Sequence, residues 1–153
     1  MYGDYLMTAI PARELLLDEL SKVSRKMRTL FDARVRERGL TLARARTLMR
    51  ISDGQAVNQK ELAEELEIEN ATLVRLIDGL ETQGLIERRA VDTDRRAKQV
   101  AMTTAGEAAA DLVMEMARGL RRDLLAGIDD ADLDVTLDVL RRMAQNIEGS
   151  GTA

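Results

Sequence analysis

The sequence of 153 residues contains no cysteine, no histidine and no tryptophan, one proline (Pro11) and three aromatic residues, Tyr2, Tyr5 and Phe31. Each absence removes a class of chemistry. Without cysteine there is no disulfide framework, thiolate nucleophile, thiol redox switch, all-cysteine zinc site or iron–sulfur cluster. Without histidine there is no Ser-His-Asp triad, imidazole base, HExxH zinc site or axial haem histidine. Carboxylates, lysine, tyrosine and hydroxyls remain for catalysis. Only hard oxygen-ligand metals suit that set, and neither a calcium-loop nor a phosphate-loop spacing occurs, so no metal and no cofactor is expected. Long hydrophobic runs are also missing, and no stretch approaches the ~20 apolar residues of a membrane span. Residues 1–10 lack the basic start and apolar stretch of a signal peptide, which makes the cytoplasm the expected location. Met7 is an alternative start, with residues 1–6 as an extension.

The length fits one domain, 1–153, and the apolar fraction of 45% suffices for a packed core. Net charge is −4, but the charges are unevenly placed. Residues 22–50 hold ten bases (Lys22, Arg25, Lys26, Arg28, Arg34, Arg36, Arg38, Arg44, Arg46 and Arg50) against Asp32 and Glu37, a local +8. A second basic group, Arg88, Arg89, Arg95, Arg96 and Lys98, lies in residues 85–98. Acids dominate at 61–69 and 129–138. This distribution fits one face for a polyanion and another turned from it, or equally a set of solvated helix faces.

The periodicity is helical at both ends. Leu16, Leu20, Val23, Met27 and Leu30 recur at alternating steps of four and three after Pro11, and Gly39 ends that helix. Thr41 caps a second helix running to about Ser52, with Leu42, Ala45, Leu48 and Met49 inward, and Asp53-Gly54 is a turn. Asn58 reads as an N-cap with Glu61 in capping-box position, followed by Leu62, Ala63 and Leu66. A helix over 70–83 buries Leu73, Ile77 and Leu80 and stops at Gly84. Two short helices so closely joined form a helix-turn-helix. The period then changes to two. Strands are expected at 85–90 and 97–103, the second with Val100 and Met102 on one side and Gln99 and Ala101 on the other. Residues 91–96 between them are a polar hairpin tip, and a hairpin directly after a helix-turn-helix is a wing. Thr104 to Glu107 is a second capping box, opening a helix with Ala109, Val113, Met116, Leu120 and Leu124 inward and Gly127 as its break. The last helix carries Leu133, Leu137, Leu140, Ala144 and Ile147, and a loose tail is expected at 149–151.

The expected fold is therefore mainly α with a small β-wing: a winged helix-turn-helix over 41–103, flanked by helices at 12–38 and 104–147. The flanking helices have little else in the chain to cover their stripes. Leu16, Leu20, Val23, Leu133, Leu137, Leu140 and Ile147 are accordingly expected to pair with a second subunit, packing within one chain being the alternative.

A helix that reads DNA needs exposed side chains near its N-terminus, where Asn70, Ala71, Thr72 and Arg75 lie. Arg75 can donate two hydrogen bonds to a guanine edge, and Thr72 can bond a phosphate or touch a thymine methyl. The competing reading pairs Arg75 with Asp78 or Glu81, both within helical reach. At the wing, Arg95 and Arg96 suit a narrow minor groove, with Asp94 holding one guanidinium, or else they are a solvated tip. Among the remaining bases, Arg44 and Arg46 suit phosphates or an anionic effector.

The segments Ile68–Arg75, Leu80–Ile86 and Asp94–Thr103 resemble the MarR family of bacterial winged-helix transcription regulators, and most closely its SlyA-like branch. The likeness spans residues 12–147, and its most specific part is the wing: Asp-Arg-Arg, a hydrophobic-x-hydrophobic-Thr strand, then Gly106. It implies a homodimer joined by its first and last helices, acting as a repressor on double-stranded DNA with no catalytic residues. Recognition helices enter the major groove of a pseudo-palindromic operator and wings enter the flanking minor grooves. Ala71, Thr72 and Arg75 match the reading residues, and Asp94 and Arg96 match the wing pair with Arg95 alongside. Many such proteins release DNA on binding a small anionic or aromatic effector. Ala71 stands where relatives often have proline, and Met102 where leucine is usual. The missing cysteine and histidine exclude the thiol and zinc sensors of the family. The rival class is a helical interaction protein whose winged fold binds a protein partner, for which the acids at 61–69 are the main support. A carboxylate enzyme has no pair of acids to recommend it.

Overall fold

The computed structural model describes residues 10–51, 57–91 and 94–151, with backbone alone at 91 and 94–98. Among the described residues six helices and three strands follow in the order α1 (Ala12–Arg36), α2 (Leu42–Ile51), β1 (Val57–Asn58), α3 (Gln59–Leu66), α4 (Asn70–Thr82), β2 (Ile86–Val91), β3 (Asp94–Met102), α5 (Thr104–Leu124) and α6 (Asp130–Ser150). Compactness divides the chain within α5, between Ala117 and Arg118.

The larger unit is built on one core. Val35 at the end of α1, Leu40, and Ala45, Leu48 and Ile51 of α2 pack with Leu62, Ala63 and Leu66 of α3 and Leu73, Ile77 and Leu80 of α4. Ile86, Val100, Ala110 and Val113 complete it from β2, β3 and α5. The expected inward faces of α2, α3 and α4 are therefore the core faces, with Leu42 and Met49 only half-buried and Thr47 and Ile51 added. Thr47 is fully buried, and its hydroxyl donates to the Ala43 carbonyl at 2.8 Å, as a buried polar group requires. Phe31 packs against this core from α1.

Helix ends follow local chemistry. Pro11 precedes α1, its carbonyl accepting from the Glu14 N–H at 2.9 Å. The Thr41 hydroxyl accepts from the Arg44 N–H at 3.2 Å and caps α2. The Asn58 side chain accepts from the Lys60 N–H at 2.8 Å and caps α3. At α5 the expected cap is off by one residue. Thr103, not Thr104, accepts from the Gly106 N–H (3.1 Å), and the Thr103 hydroxyl donates to the Gly84 carbonyl at 2.6 Å. The second bond decides between two adjacent threonines, since only Thr103 faces the turn after α4.

The sheet is antiparallel in the order β1-β3-β2. β1, absent from the sequence expectation, pairs Val57 with Val100 and Asn58 with Gln99. β2 pairs Ile86 with Met102 through Ala90 with Lys98, then shifts register so that Val91 pairs with Asp94. The strands thus reach further than expected, and 94–96 belongs to β3 instead of the tip. Ala101, expected on the outer side, is buried along with Val100. Asp53-Gly54, Tyr2, Tyr5, Met7 and the tip residues Asp92 and Thr93 lie outside the described residues.

In the second unit Gly127, at φ +76°, turns the chain from α5 toward α6. Asp130 and Asp132 stand in the first turn of α6, where negative charge suits the helix dipole. The helix continues through Gly149 and Ser150, so the expected loose tail is helical there. The apolar stripes of the flanking helices are open. Leu16, Leu20, Val23 and Met27 of α1 are exposed, and so are Leu137, Leu140 and Ile147 of α6, the last at 72%. Leu133 is half-buried. Leu124, expected inward on α5, is also exposed. It lies in the last turn of α5, beyond the part of that helix that joins the main core.

Candidate nucleic-acid interface

The helix-turn-helix is set by a left-handed residue. Glu67 at φ 55° ends α3, and the Ile68 N–H reaches back to the Ala63 carbonyl at 3.1 Å. Ile68 packs against the core, which fixes the turn from beneath. Glu69 then occupies the N-cap of α4 without a side-chain capping bond. Leu73, Ile77 and Leu80 anchor the inner face of α4, so helical periodicity turns Asn70, Ala71, Thr72, Val74 and Arg75 outward, and all five are exposed. Four of these are the expected reading residues, and Val74 joins them on the same surface.

The anticipated competition for Arg75 is absent. Arg75 forms no ion pair with a described residue. Asp78 and Glu81 are both engaged by Arg88 of β2. Arg88 places Nη2 2.5 Å from Asp78 Oδ1, Nη1 3.1 Å from Glu81 Oε1 and Nε 3.3 Å from Gln59 Oε1. Its backbone N–H donates to Glu81 Oε2 at 3.1 Å. One side chain therefore ties the wing strand to both helices of the motif. Sequence reasoning missed this role because Arg88 lies on a strand and only the fold brings it to partners on two helices. The neighbouring Arg89 folds onto Glu87, Nε to Oε1 at 2.8 Å.

A second strut holds the same, C-terminal end of α4. The Arg44 guanidinium lies against Gly79, where a Cβ would stand 2.2 Å from Nη2, and Nη1 donates to Gln83 Oε1 at 2.9 Å. Gln83 Nε2 in turn donates to the Gly39 carbonyl at 3.1 Å. Arg44 is thus a structural contact, while Arg46 is exposed. The basic segment loses two further members. Lys22 meets Asp18 at 2.8 Å, and that carboxylate together with Glu19 raises the ammonium pKa above its usual value. Arg36 meets Asp32 at 2.8 Å. The others, from Arg25 to Arg50, are exposed and form no ion pair with a described residue.

The backbone places Asp94, Arg95 and Arg96 at the start of β3, beside the hairpin tip; their side chains, and with them the expected Asp94–arginine pair, lie outside the described residues. Among the described residues no group of acids is arranged to hold a metal ion, and no helix is long and apolar enough to cross a membrane.

A capped helix-turn-helix followed by a two-stranded wing, between long flanking helices, defines a winged helix-turn-helix protein. Residues 38–97 match the model of the MarR family. Among solved structures, transcriptional regulator PA3341 is 36% identical, with 88% of this chain and 98% of that chain covered and a TM-score of 0.77. The transcriptional regulator SlyA is 22% identical (88% and 95% covered, TM-score 0.78). A putative MarR family transcriptional regulator from Listeria monocytogenes, complexed with a 26mer DNA, is 24% identical (86% and 87% covered, TM-score 0.76). The protein belongs to the MarR family.

Proposed function

We propose that the protein is a homodimeric, sequence-specific DNA-binding regulator that represses transcription from a pseudo-palindromic operator. The observation that carries this reading is the outward turn of α4: Asn70, Ala71, Thr72 and Arg75, the last without an ion pair to any described residue, project from a helix whose opposite face is locked into the core. That arrangement suits insertion into a major groove about 12 Å wide, with Arg75 on a guanine edge and Thr72 on a phosphate or a thymine methyl. The uncapped first turn of α4 leaves backbone N–H groups for a phosphate. Arg95 and Arg96, next to the wing tip, take the flanking minor groove, with Asp94 orienting a guanidinium. Family membership and the DNA complex of the Listeria relative support the same direction. The wing signature supports an assignment to the SlyA-like branch, and the DNA-binding reading supports a cytoplasmic location.

Dimer formation is supported by the exposed stripes of α1 and α6, which leave apolar rows open on both helices. Leu16, Leu20, Val23, Leu133, Leu137, Leu140 and Ile147 are the residues assigned to that contact. Two copies would then present two α4 helices to successive half-sites about 34–36 Å apart. Release by a small anionic effector is favoured by one feature, a cavity of about 150 Å³ lined by Arg38, Leu40, Gln83, Leu85, Ala109 and Leu112. It combines an exposed guanidinium with apolar walls.

The test is binding to an operator selected from a random duplex library. Arg75→Ala should lower affinity about tenfold or more and relax the preference at one base pair. Arg96→Ala should weaken most sequences alike. Parental binding by both variants would contradict the site assignment.

A further inference from the structure

We infer that Arg88 is a positioning residue for DNA recognition: it occupies the two carboxylates of α4 and so keeps Arg75 free to reach a base. The inference rests on the DNA-binding reading of α4. It starts from the composition of that helix. Asn70–Thr82 contains one base, Arg75, and two acids, Asp78 and Glu81. Taken alone, the helix assigned to a polyanionic groove carries net negative charge. Asp78 lies three residues from Arg75, the spacing at which a carboxylate and a guanidinium meet on a helix surface.

The structure resolves this conflict from another element. Arg88 uses Nη2 on Asp78, Nη1 on Glu81 and Nε on Gln59, so all three guanidinium nitrogens have protein acceptors. Its side chain is only 19% exposed, whereas Asp78 and Glu81 are 59% and 43% exposed. The guanidinium is therefore held between β2 and the helices, and the acids are drawn to it along their inner edge. A planar fork engaging three acceptors is fixed in a way that a single surface ion pair is not. The Arg75 side chain, exposed and without an ion pair to any described residue, is what this leaves over.

Arg88 itself need not touch DNA for this role. Removing it leaves two uncompensated carboxylates on the reading helix, one of them within reach of Arg75. The charge of α4 would then repel the phosphates, and Arg75 would be pulled back onto its own helix. The consequence is specific, because the contribution of Arg75 to binding should depend on residue 88, and that dependence should vanish when the acids are neutralised.

The experiment measures dissociation constants for a selected operator at fixed salt, in parent, Arg88→Ala and Arg88→Ala/Asp78→Asn/Glu81→Gln backgrounds, each with and without Arg75→Ala. In the parent, Arg75→Ala should weaken binding about tenfold or more. With Arg88→Ala in place the same substitution should weaken it about threefold or less, since Arg75 is already diverted. In Arg88→Ala/Asp78→Asn/Glu81→Gln the full Arg75 effect should return. Equal Arg75 effects with and without Arg88, or no recovery when the acids are neutralised, would overturn the inference. If Arg88→Ala does not fold, Arg88→Gln, which retains a hydrogen-bonding side chain toward Gln59, carries the same comparison. A melting curve on every variant establishes folding. Failure of the parent to bind any duplex would instead refute the DNA-binding reading, so the two failures are distinguishable.

Discussion

Gly106→Ala should destabilise the protein strongly, although alanine is ordinarily the better helix former. A Cβ at Gly106 would stand 1.8 Å from the Leu85 carbonyl oxygen and 2.8 Å from its carbon, where real contacts stay beyond 3.0 Å. The obstacle is backbone, so no rotamer change relieves it, and the turn after α4 would have to retreat by about 1.2 Å. That turn is bonded to the start of α5 at two points, Thr103 N–H to the Leu85 carbonyl (3.1 Å) and the Thr103 hydroxyl to the Gly84 carbonyl (2.6 Å). Overpacking costs about 1–3 kcal/mol, and stretching two hydrogen bonds adds about 0.5–1.5 kcal/mol each. The sum is about 2–6 kcal/mol, or a fall in Tm of about 4–24 °C at roughly 2–4 °C per kcal/mol for a chain of this length. The control is Gly119→Ala, also within α5, whose Cβ would meet only the Arg122 side chain at 4.0 Å. It should be stabilising by about 0.5–1 kcal/mol. Calorimetry at matched protein concentration compares the three proteins. A Gly106→Ala melt within 1–2 °C of the parent, about what 0.5 kcal/mol produces, would refute the close-approach argument.

Two other substitutions test separate parts of the account. Asn58→Ala removes the 2.8 Å bond to the Lys60 N–H and should cost about 1 kcal/mol, read as a Tm shift of about 2–4 °C. Leu137→Glu places a charge on the exposed stripe of α6. On a solvated face it should be neutral within about 0.5 kcal/mol, whereas under the dimer reading sedimentation at micromolar concentration should show monomer. An unchanged sedimentation coefficient in that variant would count against the α6 assignment.

The helices were legible because their signals are redundant. A stripe such as Leu73, Ile77 and Leu80, a cap such as Asn58 and a stop such as Gly84 each mark the same element from different physics. The elements that escaped lack that redundancy. Val57–Asn58 is too short to show a period and becomes a strand only because β3 lies beside it. Thr103 and Thr104 are chemically identical candidates for one cap, and a tertiary bond to Gly84 chooses between them. The strands overran the expected tip because five polar residues in a row resemble a loop whether or not their backbones pair.

The candidate site divides along the same line. The outward turn at Asn70, Ala71, Thr72 and Arg75 follows from helical periodicity, which is local. Whether Arg75 is paired does not, because its competitors' partner, Arg88, comes from a strand that only the fold brings near. The same is true of Arg44, a member of the basic segment by charge and a strut between α2 and α4 by position. The two acids of α4 are held by Arg88, which only the fold reveals.

The most direct measurement is selection of duplexes from a random library by the purified protein, followed by titration of the enriched sequence across a salt series. The account predicts an enriched pseudo-palindrome, bound in the nanomolar range, with log affinity falling linearly as log salt rises and a loss of about 10³–10⁵ between 50 and 200 mM if six to ten phosphates are contacted. Recovery of the input library without enrichment, or binding indifferent to salt, would contradict it.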